Sequence, residues 1–71
     1  MIVDKQIHSY IEDEIENIYE SKLRYLQMAE FRLEIDRIII NTIDKFNLRA
    51  YTEIRNQIKI IALEHYIILN G

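Results

Sequence analysis

Residues 7–18 read IHSYIEDEIENI, with isoleucine at 7, 11, 15 and 18 and carboxylates at 12, 13, 14 and 16 between them. Steps of four, four and three place the isoleucines on one side of a helix with 3.6 residues per turn. The same phase continues through Tyr25, Leu26, Ala29, Leu33, Ile40 and Ile43, while Glu12, Glu16, Glu20, Glu30 and Glu34 fall on the other side. The chain has no proline, and its single glycine is Gly71, so no residue of the usual breaking type interrupts this pattern. The spacing therefore predicts one helix over about residues 4–42, on the order of 60 Å long. Such a helix needs a partner along its length, because an isolated helix in water gains too little from its own hydrogen bonds. Asp4 is the favoured N-cap. Ser9 with Glu12 forms a capping-box pattern and is the alternative start, which would leave residues 1–8 as a separate arm.

A second apolar stripe begins at Met28 and runs through Phe31, Ile35, Ile39 and Phe46. A helix that is apolar on two sides is buried on two sides, so residues 28–46 are expected at the centre of an oligomeric core. A kink near Ser21 or Asn41 would produce the same pattern by a change of phase. The turn is expected at 41–47, NTIDKFN, where Asn, Thr and Asp side chains compete for backbone hydrogen bonds. Asn47 would then cap a second helix over about 48–69. There Tyr51, Ile54, Ile58, Ile61, His65 and Ile68 form a heptad-like seam, and Ile60, Leu63 and Ile67 lie on its back.

The expected fold is all-α: a single helical domain over 1–71, built as a hairpin of one long and one shorter helix and assembling into an oligomeric helix bundle. Its oligomer core would contain Ile11, Ile15, Ile18, Phe31, Ile35, Ile39 and Ile58. Length supports the assembly step. A chain of 71 residues buries a modest share of its surface, and with no cysteine it cannot add a disulfide.

Composition removes several function classes. The net charge of −3 opposes nonspecific attraction to nucleic acid. The longest apolar runs are far below the roughly 20 residues that span a bilayer, so no membrane partner is expected. Met1-Ile2-Val3 is followed at once by Asp4 and Lys5, which does not read as a secretory leader, and a cytoplasmic protein is expected. Sixteen isoleucines against six leucines and three alanines suggest AT-rich codons, a bias that suits a phage or mobile-element origin.

No catalytic constellation is visible. There is no cysteine nucleophile and no Ser-His-Asp order, and one terminal glycine cannot build a phosphate loop. Glu64-His65 lacks the second histidine of a zinc-protease helix, and no metal or cofactor is expected. The leading expectation is a non-enzymatic interaction module, an oligomeric regulator or inhibitor of a host protein. Its partner-binding face would be Glu12, Asp13, Glu16, Tyr19 and Glu20, acidic side chains beside a tyrosine. One rival is sequestration of an anionic small molecule such as a nucleotide by Arg37, with Asp36 and Tyr25 beside it. Asp36 and Arg37 also suit a register-fixing ion pair in a bundle core. A second rival is a dimer that binds RNA through Arg55 and Lys59.

Overall fold

The computed structural model describes residues 4–71, apart from the side chain of Arg24. Met1–Val3, on which the reading of the leader partly rests, lie outside the described residues. The described chain is all-helical: α1 (Lys5–Tyr19), a 3-10 turn (Leu23–Tyr25), α2 (Met28–Lys45) and α3 (Thr52–Asn70). Among the described residues no helix is long and apolar enough to cross a membrane.

Asp4, not Ser9, caps α1. Its carboxylate accepts the backbone N–H of Ile7 at 3.0 Å, satisfying one of the donors left open at a helix start. The expected 40-residue helix is broken. After Tyr19 the chain leaves α1 through a turn, Leu26 and Gln27 are extended, and α2 starts at Met28. Principal extents of 31 × 22 × 17 Å replace the expected rod.

No breaker residue causes this bend; packing does. Leu23 in the 3-10 turn is 1% exposed, and the bend folds α2 back so that Ile7, Ile11 and Ile15 are covered within one chain. Each buried isoleucine contributes about 1.5–3 kcal/mol, whereas each helical hydrogen bond given up is worth about 0.5–1.5 kcal/mol net. Part of that loss is recovered locally, by the N–H of Lys22 donating to Ile18 O and that of Tyr25 to Lys22 O, both at 2.9 Å.

The second turn also falls later than expected. α2 runs to Lys45, and Asn47 does not cap α3 but sits just past the end of α2 with φ 53°. The N–H of Leu48 donates to Ile43 O at 2.9 Å and that of Asn47 to Asp44 O at 3.3 Å. This is a Schellman ending with asparagine in the left-handed position, where a short polar side chain is tolerated. α3 then begins at Thr52 rather than 48, after Tyr51. Replacing Asn47 by Val should cost about 1–2 kcal/mol and lower Tm by roughly 5–15 °C. Asn47→Gly should melt at or above wild type, and equal melting of the two variants would remove this account.

The three helices run up, down and up. α1 and α3 are parallel neighbours, as His65 lies beside Glu12 and Glu16 while Tyr19 reaches Asn70. α2 is antiparallel to both, with Tyr10 against Phe46 and Phe31 against Tyr66. In place of a hairpin that needs a second copy to cover it, the core closes within one chain. Ile11, Ile15, Ile35, Ile39 and Ile58, expected in an oligomer core, are buried here with Ile7, Leu23, Ile38, Ile54 and Ala62. Ile18 and Phe31 pack at its edge, half-buried. Thr42 is the one polar side chain fully inside among the described residues, and its hydroxyl donates to Ile38 O at 2.7 Å.

Candidate functional site

The acidic side of α1 is shared between the core edge and the solvent. Glu16 Oε2 lies 2.8 Å from His65 Nε2, and Glu12 Oε2 lies 3.7 Å from His65 Nδ1 and 3.4 Å from His8 Nδ1. A ring on α3 thus sits between two carboxylates one turn apart on α1. The His65 side chain is 13% exposed, so the expected core position becomes a rim position that ties two parallel helices together. Among the described residues no group of three or more His, Asp or Glu side chains could hold a metal ion.

Tyr19 continues this α1–α3 contact. Its hydroxyl donates to Asn70 Oδ1 at 3.0 Å, and its ring meets Tyr66 edge-on at 5.8 Å. Asp13 and Glu20 remain exposed, so the five residues of the expected partner face do not form one free surface. Glu12, Glu16 and Tyr19 hold α3.

The anionic-ligand residues are also dispersed. Arg37 is exposed with a guanidinium nitrogen 3.9 Å from Glu34, and Asp36 is exposed as well, so neither forms a buried ion pair in the core. Tyr25, expected in a core stripe, is 70% exposed in the 3-10 turn, and Tyr51 is 57% exposed before α3.

A groove of about 710 Å³ lies between α2 and α3. Met28, Phe31 and Ile35 line one wall at helical spacing, and Leu63, Tyr66 and Ile67 line the other. Ile35 is buried at its floor, while Met28 and Ile67 stand 68% and 65% exposed at its mouth. Phe31 and Tyr66 meet edge-to-face at 4.6 Å between the two walls. Arg32, Asp36 and Lys59 line the rest, with no ion pair to any described residue. The two-faced pattern of residues 28–46 and of the back of α3 was the sequence signal for this place. No pattern in the sequence links α1 to His65.

A smaller depression lies between the start of α1 and the end of α2, where Tyr10 packs on Phe46 and Lys45 Nζ stands 5.4 Å from the Tyr10 ring centre. Burial raises the Tyr10 pKa above the ordinary 10.0, and donation of its proton to Glu14 Oε1 at 3.0 Å, with that group's charge, adds to the effect. The native state therefore disfavours the phenolate. Its contribution to stability is fully present below the unfolded pKa and is lost as pH rises through the higher folded one. Phenolate absorbance should show one tyrosine ionising late in the folded protein, and Tyr10→Phe should remove that component. A late component that survives in the variant would assign it elsewhere.

The chain matches no protein-family model, and no curated protein or solved structure is significantly similar to it, so its function is read from the surface just described.

Proposed function

We propose that the chain is a non-enzymatic helical interaction module, a self-associating regulator or inhibitor of another protein, and that the α2–α3 groove is where it meets that protein. One observation carries the reading. A closed core leaves Met28, Ile60 and Ile67 more than half exposed, together with Leu33 and Ile40, on the outer sides of two adjacent helices. Single exposed apolar side chains are ordinary, but a set of them beside an apolar groove with unpaired charges at its edge is the composition of a docking surface. The groove spans about two helical turns of α2, a length that accepts two or three apolar side chains of an amphipathic helix. Its unpaired cations Arg32 and Lys59 outnumber Asp36, which favours a helix with acidic residues flanking its apolar stripe.

The test places a photoreactive side chain at position 67, in the groove, or at position 13, on the exposed side of α1, in cells that express the protein. A discrete adduct with one other protein from position 67, lost when Met28→Glu is added, supports the reading. Adducts from position 13 alone move the contact to α1, and adducts from neither overturn the interaction module.

A further inference from the structure

α2 carries two apolar sides, and the core uses one of them. The other is a seam of Ala29, Leu33, Asp36 and Ile40, spaced four, three and four, which is the spacing of a helix-to-helix contact. Leu33 is 65% and Ile40 57% exposed, and Ala29 and Asp36 also face solvent. Glu30 and Arg37 flank one margin of this seam and Arg32 the other. Glu30, Arg32 and Asp36 have no ion pair with any described residue, and Arg37 has a single long contact to Glu34 at 3.9 Å.

We infer that the occupant of this seam is a second copy of the same chain, its α2 lying antiparallel to the first across a two-fold axis near Glu34 and Ile35. The inference rests on the reading of the chain as a self-associating module and names the face that does it. The seam is self-complementary, as a two-fold interface requires and a generic apolar patch is not.

Reversal of the seam about that axis sets small Ala29 against large Ile40 of the other copy, and Leu33 against the layer of Asp36. The same reversal brings the carboxylate of Glu30 to the margin where the other copy presents its Arg37 position, and Arg32 toward the position of Asp36. Each pairing occurs twice. A parallel arrangement would instead set Asp36 against Asp36 in the seam and Arg32 of one copy beside Arg37 of the other, opposing like charges. The groove between α2 and α3 lies on the neighbouring side of α2, so self-pairing leaves its α3 wall open.

Sedimentation velocity of the full chain over a concentration series is the test, run on wild type, Glu30→Arg, Arg37→Glu, the double charge exchange and Leu33→Glu. Every replaced side chain is exposed, and far-UV circular dichroism should show all five proteins equally helical. Wild type should dimerise. Each single charge reversal should weaken the dimer about tenfold, because it creates two like-charge contacts, and the double exchange should restore it to within about threefold. Leu33→Glu should be monomeric.

A wild type that stays monomeric up to about 1 mM overturns the proposal. So does a dimer that ignores Leu33→Glu, or charge reversals that the double exchange does not rescue. If self-pairing fails while position 67 still cross-links one other protein, the interaction module stands and only its self-association falls. If the dimer forms and that cross-link is absent, the reverse holds.

Discussion

Ile58→Asp should abolish the folded state. Ile58 is fully buried on α3, in the cluster that joins it to α1 and α2, with Ile54 and Ala62 on the same side of the helix. The substitution removes about 1.5–3 kcal/mol of apolar burial and places a carboxylate among buried apolar side chains, at a further cost of several kcal/mol. A 71-residue chain at about 0.05–0.15 kcal/mol per residue has on the order of 4–11 kcal/mol in total. Circular dichroism should show loss of most helix at 25 °C and no cooperative melt. Ile67→Asp is the control. That side chain is 65% exposed, so the same chemical change should leave the melting curve close to wild type. A normal melt for Ile58→Asp would mean that α3 does not present this side to the core.

The place of Ile58 in the inner seam of α3 was legible in the sequence, and so was the phase of α1, whereas the exposure of Ile67 on the back of α3 and of Ile68 in the expected seam was not. Ile7, Ile11 and Ile15 recur on one stripe and all are buried, and Asp4 caps the helix as its position suggests. Class and periodicity depend on local spacing, which a sequence displays directly. Which side of α2 would be buried was not legible. Both of its apolar stripes satisfy the helical period, and the choice of Ile35 and Ile39 over Leu33 and Ile40 depends on how α1 and α3 approach it. The pairing of Glu12 and Glu16 with His65 was hidden for a related reason. It joins parallel helices about 50 positions apart, and no short-range pattern encodes such a neighbour.

The stripe of Ile7, Ile11 and Ile15, expected to need a second copy, is covered by α2 and α3 of the same chain, which leaves a smaller, directional apolar remainder. That remainder lies on α2 and α3, opposite the side where α1 binds His65. The acidic residues Glu12 and Glu16 therefore have a structural role that would confuse any attempt to read partner binding from their replacement. Glu16→Lys removes a 2.8 Å contact to His65 and sets a cation beside the ring, so a change in binding would be mixed with a change in the α1–α3 contact. Met28, Leu33 and Ile67 are cleaner probes, because each is more than half exposed.

Leu23→Ala should be the most destabilising of the conservative truncations outside the three long helices. The side chain is 1% exposed, at the point where the chain departs from a helix that its own sequence could have continued. Lys22, with φ −137° and ψ −62°, is outside helical geometry, and no side chain caps either the 3-10 turn or the start of α2. Backbone bonding at the bend is modest, and the contact of Leu26 N–H with Leu23 O is long at 3.4 Å. The Lys22–Glu34 ion pair across the bend, at 3.6 Å with the lysine half exposed, adds little, so the main hold is the burial of Leu23, with Leu26 half-buried beside it. Truncation to alanine should cost about 2–5 kcal/mol, because the closed turn collapses poorly around the space left, and Tm should fall by at least about 10 °C. Leu26→Ala should cost clearly less. If Leu23→Ala melts like wild type, the helix-end hydrogen bonds hold the bend and packing does not. If Leu26→Ala is the more damaging of the two, the pivot lies after the 3-10 turn, where the extended residues lead into α2.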